Sequence, residues 1–406
     1  MDALLRVPAR RSGGRFDPPE SYERQQKRAA LGRVRLWDGS KVWFVTRHAD
    51  MRAVLSDSRF SADVATDGFP WVTRTSEAVS EEFPTLIRMD PPEHQRIRRA
   101  LAPEFTWARA QRLRPAMAEI VDTAVDAMAA HDPPRDLVSD VAAVVPARVI
   151  GTVLGVPYED HLRLQELSTR SQSMAPSVDQ VRADLQDLRR YLEQLVDTKR
   201  VQPDDDVLSR LVAPGPGGPG LGREAAVAIA RLLLLPTSDI VAHMIGLGFL
   251  ALHAHPGQLA RLRCDPGLIS SAVDELLRYL SVLHTGLPRV AVEDVELSGC
   301  LIKAGEGVIC SLPTANRDPG QFPDPARLDI ARNSRRHLAF GHGIHRCLGQ
   351  FLARVELEVA LEALLRRPPG LQPAVPIDRL RFRDDMLVYG VHELPVTWKA
   401  APGVSS

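Results

Sequence analysis

The stretch FGHGIHRCLG, residues 340–349, is the most informative segment of this 406-residue chain. It contains His342, His345 and Cys347, and His337 lies shortly before it. Its glycines are Gly341, Gly343 and Gly349. Glycine allows sharp turns and close approach of another group to the backbone, so the spacing predicts a tight loop around Cys347. An apolar helical pattern over residues 347–366 predicts that a long helix follows.

Two kinds of metal chemistry use this set of side chains. Zinc is bound by His and Cys, but structural zinc usually takes ligands from two chain segments, and the sequence has no second cluster. Alternatively, Cys347 at a helix start would meet free amides and a dipole that favour the thiolate. A thiolate held in this way beside Phe340 suits the axial ligand of haem iron. The pattern favours haem, and a zinc site or an inert buried cysteine are the alternatives.

The composition is typical of a soluble globular protein, with 44% apolar and 25% charged residues. Basic and acidic residues number 51 each, so net charge favours neither nucleic acid nor an anionic membrane. The N-terminus lacks a signal-peptide core, and no uncharged apolar run reaches the roughly 18 residues of a membrane span. The cysteines are Cys264, Cys300, Cys310 and Cys347. Cysteine this sparse fits a reducing compartment, so we expect a cytoplasmic monomer.

The order of patterns along the chain predicts a mainly α protein with small β-sheets, an α+β class. Residues 34–45 read as a hairpin around Asp38-Gly39. Amphipathic helical patterns cover 107–130, 137–154, 159–172 and 178–199, and strand-like alternation follows residue 284. The sequence APGPGGPG at 213–220 predicts a flexible loop. With no repeat and no clear boundary, we expect a single domain over residues 1–406.

Residues 340–349 resemble the cysteine loop of the cytochrome P450 haem-thiolate family. The resemblance extends over nearly the whole chain and is closest to the soluble bacterial class, because a membrane anchor is missing. It implies the cytochrome P450 fold and a bound haem b whose iron is ligated by the Cys347 thiolate. Phe340 and Gly349 occupy further haem-binding positions of the loop.

The resemblance assigns two further groups of residues. Glu275 and Arg278, in DELLRYL, match a structural Glu-x-x-Arg pair that locks onto a downstream arginine, for which Arg327 holds the matching place. The resemblance also implies that four residues bind the haem propionates, which need cationic or hydrogen-bonding partners. These residues are His94, Arg98, Arg289 and His345.

The family's chemistry is oxidation by a haem whose thiolate favours O–O cleavage. Electrons come from NAD(P)H through a ferredoxin reductase and a ferredoxin. This chain shows no G-x-G-x-x-G fingerprint and no ferredoxin-like cysteine run, so those partners must be separate proteins. The family docks them behind the cysteine. Four arginines would make that face basic: Arg335, Arg336, Arg346 and Arg354.

The segment LLLLPTSDIVAH, residues 232–243, departs from the family pattern of its distal helix, Ala/Gly-Gly-x-Asp/Glu-Thr. Aligned on the apolar run, Pro236 takes the first position, Asp239 keeps the acid, and Ile240 replaces the threonine. Isoleucine cannot hydrogen-bond a reacting oxygen. Proline cannot donate to the Leu232 carbonyl, so we expect a kink there. The candidate catalytic residues are Asp239, Thr237 and Ser238. In the alternative interpretation, the two hydroxyls only bond back to the previous turn.

The function that follows is a monooxygenase-type oxidation of an apolar small molecule: hydroxylation, epoxidation or oxidative coupling in secondary metabolism. Family positions that would line the substrate pocket are Leu235, Pro236, Ile240, Leu283, Leu287 and Leu387. One alternative is unusual haem-thiolate chemistry, such as peroxide-driven oxidation, ring coupling or nitric-oxide reduction. Another is a non-catalytic haem-binding protein.

Overall fold

Helices dominate residues 5–11, 13–171, 177–214, 220–384 and 386–399, which the computed structural model describes. The helices are α1 Glu20–Arg28, α2 His48–Ser56, α3 Arg74–Val79, α4 Glu93–Leu101, α5 Trp107–Ala129, α6 Val144–Leu154, α7 His161–Ser171, α8 Val178–Val201, α9 Val207–Val212, α10 Arg223–Ala254, α11 Pro256–Cys264, α12 Ile269–Leu280, α13 Leu312–Ala315 and α14 Gln350–Arg366. The predicted α-dominated α+β class is confirmed. Of the predicted flexible loop at 213–220, residues 215–219 lie outside the described part.

The strands are short and belong to small sheets. They are β1 Leu5–Arg6, β2 Leu31–Arg35, β3 Lys41–Val45, β4 Phe60–Ser61, β5 Arg135–Asp136, β6 Leu287–Ala291, β7 Val295–Leu297, β8 Cys300–Ile302, β9 Gly307–Cys310, β10 Gln372–Pro373 and β11 Pro395–Thr397. One sheet has the order β1-β2-β3-β9-β6-β4, and its β2–β3 pair is the predicted hairpin, with Val34 opposite Val42. The other sheets have the orders β10-β11-β5 and β7-β8.

Helix α10 runs through the centre of the protein and packs against α6, α7, α8, α12 and α14. Its sequence is apolar on nearly all sides, as expected of a core helix. It continues without interruption from Arg223 to Ala254, with Pro236 inside it. By length and composition α10 alone among the described helices could cross a membrane, but 61% of its most apolar segment is buried against the rest of the protein.

A buried charge network ties α12 to the segment that precedes the cysteine loop. The Arg278 and Glu275 side chains are fully buried and paired, with Nε 2.7 Å from Oε2. The downstream arginine that joins them is Arg332, whose Nε lies 3.3 Å from Glu275 Oε1. The prediction that the Arg327 side chain fills this place is wrong. The turn closed by the Arg327 amide on Asp324 leaves that side chain exposed, and only its carbonyl accepts from Arg278, at 3.3 Å.

Replacing Arg332 should therefore destabilise the protein, while replacing Arg327 should not. In Arg332→Met the buried Glu275 carboxylate loses a charged hydrogen bond, which costs about 2 kcal/mol of the free energy of unfolding. The control Arg327→Met should stay within about 0.5 kcal/mol of the wild type, as exposed substitutions usually do. Urea unfolding of the haem-loaded proteins, followed by circular dichroism, measures both. Equal losses in the two variants would contradict the assignment.

Glu356 is a buried acid in the middle of α14. It is 1% exposed, and its Oε1 has no hydrogen-bond partner within the residues described. Because burial penalises the charged form, the pKa of Glu356 rises from 4.5 to about 8. The folded protein thus binds a proton at neutral pH that the unfolded chain releases.

This proton makes stability depend on pH. The contribution of protonated Glu356 is fully present below pH 4.5 and is lost as the pH rises through about 8. Relative to Glu356→Gln, the wild type should lose on the order of 5 kcal/mol of unfolding free energy between acidic and alkaline pH. Urea titrations at several pH values test this, with exposed Glu224→Gln on α10 as the control. Parallel pH profiles of wild type and Glu356→Gln would rule out the buried proton.

Candidate functional site

The cysteine loop is a tight turn that places Cys347 shortly before α14. The Cys347 amide donates to the Phe340 carbonyl at 2.8 Å, and the Gly341 amide donates to the Leu338 carbonyl at 2.8 Å. Gly343 has φ +70°, and a Cβ there would lie 2.0 Å from the Leu55 carbonyl oxygen. Only glycine therefore lets the loop pack on the end of α2.

Cys347 lies in the loop, three residues before α14. Burial by the surrounding protein raises the pKa of the Cys347 thiol, against the lowering effects of the Gly349 amide and the nearby Arg98. The Gly349 amide favours the thiolate, as expected at the start of a helix, and desolvation opposes it. A metal cation at the sulfur would reverse the balance, since coordinated thiols are deprotonated.

Phe340 forms one wall of the loop. Its ring packs against the His337 ring at 5.5 Å and beneath the Arg354 guanidinium at 4.6 Å. Arg354 Nε is 2.8 Å from Asp274 Oδ1, so this arginine is held inside the loop, while Arg335, Arg336 and Arg346 are exposed.

The four residues expected at the propionates come together. The rings of His94 and His345 lie 4.2 Å apart, and none of their nitrogen atoms has a hydrogen-bond partner among the residues described. Arg289 is 5% exposed, and Arg98 donates to the Arg346 carbonyl at 2.5 Å. Burial, Arg289 and His94 lower the pKa of His345 to about 3. Buried polar atoms are normally paired, so orphan imidazoles beside guanidinium groups mark a site that receives an anion.

Arg88 joins this cluster and was missed from the sequence. Burial and the neighbouring Arg289 lower the pKa of Arg88 to about 10. Its guanidinium lies 5.2 Å from the centre of the Phe69 ring, which contacts Trp71. Arg88 lies two residues before Asp90. Nothing in the sequence around it distinguishes it from an arginine on the surface.

The central part of α10 is open on one side. Leu235, Pro236 and Ile240 are half-buried, as is Thr237, while Ser238 is buried. The hydroxyl of Thr237 hydrogen-bonds to nothing within the described residues.

The structure does not support a catalytic Ser238. Its hydroxyl donates to the Leu234 carbonyl at 3.3 Å, and its side chain faces a small cavity between α6, α7 and α10. This is the bonding back to the previous turn that the alternative interpretation describes. Residues two apart on a helix point in widely different directions, so Ser238 does not share the open side with Pro236 and Ile240.

The predicted pocket residues share one property. Each is half-buried in a segment whose other members are mostly buried: Leu235, Pro236, Ile240, Leu283, Leu287 and Leu387. The segments also meet, because Leu283 pairs with Val388 in an isolated bridge. The Leu287 side chain lies 3.7 Å from where a Cβ of Gly341 would stand, so this wall reaches the cysteine loop.

Asp239 is 1% exposed and bonded from two other segments. Arg383 Nη1 lies 3.2 Å and the Thr169 hydroxyl 3.4 Å from its Oδ1, while Oδ2 has no partner in the described part of the chain. Burial raises the pKa of Asp239 to about 6, although Arg383 and Thr169 lower it. Next to Thr169, the Ser168 hydroxyl donates to the Leu235 carbonyl, so α7 docks on both sides of Pro236.

Comparison with known proteins identifies the family. A family model described as "Cytochrome P450" matches residues 267–367. Cytochrome P450-SU2 of Streptomyces griseolus is 47% identical over 398 residues, covering 98% of this chain and 98% of that protein. The chain belongs to the cytochrome P450 family. Pentalenic acid synthase of Streptomyces avermitilis is 45% identical over 94% of this chain and 95% of the relative. The crystal structure of CYP105P1 in complex with filipin I has a TM-score of 0.91 at 40% identity, covering 98% of this chain and 100% of that one.

As a cytochrome P450 the chain is a monooxygenase, an oxidoreductase whose cofactor is haem. When bound, haem ligated by thiolate supplies dioxygen activation. The described residues fit it: the Cys347 sulfur suits the iron, and the orphan imidazoles and guanidinium groups of the cluster suit the two propionates. In the described ranges, no group of three or more His, Cys, Asp or Glu side chains is placed to hold a metal ion.

Sequence reasoning also missed the partners of Asp239 in this cytochrome P450. Arg383 and Thr169 lie 144 and 70 residues away along the chain. Neither belongs to a motif, and only the close packing of α7 and the C-terminal segment on α10 brings them to the acid.

Arg98 and its neighbour Arg99 offer a matched test of the cluster, since Arg98 is half-buried beside Cys347 and Arg99 is exposed. Arg98→Ala should release haem about tenfold faster, because it removes one charge-assisted hydrogen bond. Arg99→Ala should behave like the wild type. Haem transfer to an excess of apomyoglobin, followed by absorbance, gives both rates. The cluster assignment is wrong if Arg98→Ala retains haem like Arg99→Ala.

Proposed function

We propose that this cytochrome P450 oxidises an apolar small molecule of moderate size by hydroxylation, epoxidation or oxidative coupling. Cys347 ligates the haem iron, and His94, Arg98, Arg289 and His345 bind the propionates. The observation that carries the proposal is the apolar lining: residues on α10, β6 and the C-terminal segment are half-buried, and Leu287 on β6 reaches the cysteine loop.

The chemistry of the lining limits the substrate. Leucine, isoleucine and proline side chains offer no hydrogen bond, so affinity depends on burial of apolar surface. On the open side of α10, the half-buried Thr237 supplies a hydroxyl that can orient a substrate. Relatives named for pentalenic acid synthesis and for binding filipin I support a secondary metabolite as the substrate.

Two residues of α10 take part in the chemistry. The Asp239 carboxyl holds a proton, and its raised pKa allows exchange near neutral pH. The Thr237 hydroxyl, three residues before Ile240, orients a water or a substrate group on the open side of the helix. Proline has no N–H, so Pro236 cannot donate the usual helical hydrogen bond to the Leu232 carbonyl four residues earlier.

The electron donors are a ferredoxin and its NAD(P)H-dependent reductase. Exposed Arg335, Arg336 and Arg346 surround the cysteine loop and suit an acidic partner surface. A cytoplasmic, monomeric, single-domain enzyme fits this arrangement, because small soluble carriers must reach that face.

The test combines spectroscopy with turnover. The reduced protein under carbon monoxide should give the haem-thiolate absorption band, and Cys347→His should abolish it while retaining haem. Library compounds that shift the ferric spectrum should then yield oxygenated products with ferredoxin, reductase and NADH. The proposal fails if the thiolate band is absent, or if no spectrally active compound is converted.

The same assay decides a second candidate function, peroxide-driven oxidation. Ile240 favours this candidate, since it places a side chain without a hydroxyl where the family uses an alcohol to organise proton delivery. Turnover with hydrogen peroxide alone, at a rate equal to the ferredoxin-driven one, would select peroxide-driven oxidation. Dependence on reduced ferredoxin selects the monooxygenase.

A further inference from the structure

A buried imidazole lies one helical turn beyond Asp239. His243 is 3% exposed, and its Nε2 is 3.4 Å from Asp239 Oδ1. Neither His243 Nε2 nor Asp239 Oδ2 has a hydrogen-bond partner within residues 5–11, 13–171, 177–214, 220–384 and 386–399. Two orphan polar atoms on adjacent buried side chains are rare in a protein core, where nearly all such atoms are paired. A small reorientation of either side chain would bring His243 Nε2 into hydrogen-bond geometry with the Asp239 carboxyl.

The C-terminal segment fixes the orientation of the His243 ring. A Cβ on Gly390 would lie 2.2 Å from His243 Nδ1, so the Gly390 backbone covers that edge of the ring. The titratable and charged groups that face the imidazole are Asp239 on α10 itself, and Arg383 and His392 on the C-terminal segment. Burial lowers the pKa of His243 well below its usual value, and Arg383 and His392 lower it further. The ring is therefore neutral.

A neutral imidazole can pass a proton without becoming a stable cation. One ring nitrogen carries a proton and the other accepts one, so proton uptake at one edge and release at the other exchanges the two tautomers. In His243 these edges are Nδ1, on the side of Gly390, and Nε2, beside Asp239. His392, two residues after Gly390, is half-buried. The ring thus lies between the acid of the distal helix and a segment that reaches the surface.

We propose that His243 passes protons to Asp239, and that this pair does the work of the alcohol missing at residue 240. The inference rests on the proposed monooxygenase function, because that reaction consumes protons. A proton binds at His243 Nδ1, the proton held at Nε2 moves to the Asp239 carboxylate, and the ring changes tautomer. Asp239 then holds the proton until the pocket takes it up. The Thr169 hydroxyl and Arg383 keep the carboxyl in place through Oδ1.

The first experiment measures protonation of Asp239 in the resting, haem-loaded protein. The carboxylic acid C=O band, assigned by its loss in Asp239→Asn, should titrate near pH 6. In His243→Leu the titration should move upward by about half a pH unit or more, because an apolar side chain replaces a polar ring 3.4 Å from the carboxylate. His253→Leu is the matched control on the same helix, since both ring nitrogens of His253 already bond to the Phe249 and Leu371 carbonyls. That control should leave the Asp239 titration unchanged.

The second experiment needs no variant and stands if His243→Leu does not fold. Nitrogen-15 chemical shifts of the His243 ring, recorded in the diamagnetic ferrous carbon-monoxide complex, report which nitrogen carries the proton. They should change at the same pH as the Asp239 band. The relay is overturned if the His243 shifts stay flat through that pH, or if His243→Leu leaves the Asp239 titration in place. Neither measurement requires turnover, so failure here leaves the proposed function intact, and failure of the carbon-monoxide and product assays is recognised separately.

Discussion

The buried pair of Arg278 and Glu275 is the constraint on which the proximal half of this protein depends. Taking two charges out of water costs several kcal/mol per ion, and the cost is offset only if the remaining polar atoms are bonded. Arg278 meets this demand with the carbonyls of Asn316 and Pro325, at 3.0 and 2.8 Å. The Asn316 side chain in turn accepts from the Leu338 amide at 2.7 Å. One ion pair thus fixes residues 316–338 on α12 and sets where the cysteine loop begins.

Much of this arrangement could be predicted from the sequence, where the signals are local. The turn of the cysteine loop is closed by hydrogen bonds within ten residues, and its glycines and the following helix can be predicted directly from the sequence. The charge network shows the limit of prediction from sequence. Arg327 and Arg332 lie five residues apart, and nothing in the sequence tells which of them joins the network. Only the turn at Asp324 decides that one side chain enters the core and the other enters solvent. The same holds for Ser238, where helix rotation, not residue type, determines what its hydroxyl reaches.

The distal half is organised by polar groups placed on an apolar helix. Arg231 of α10 bonds to the carbonyls of Phe83 and Pro84, which holds the segment between α3 and α4. The Leu235 carbonyl accepts from α7, and Asp239 accepts from the C-terminal segment. Each wall of the pocket is therefore attached to one helix by a buried hydrogen bond, which costs free energy when broken. These partners are distant in sequence, so hydrophobic periodicity predicts the helix but not the residues that form hydrogen bonds with it.

The cluster of Arg88, Arg98 and Arg289 has a consequence for how the protein is assembled. Buried like charges repel one another. Burial already lowers the pKa values of all three guanidinium groups, because it penalises their charged form. The polypeptide therefore carries an electrostatic penalty among Arg88, Arg98 on α4 and Arg289 on β6, and a dianionic ligand relieves it. Haem binding and folding of this region are therefore thermodynamically coupled. The yield of mature protein in a cell then depends on the supply of porphyrin by mass action.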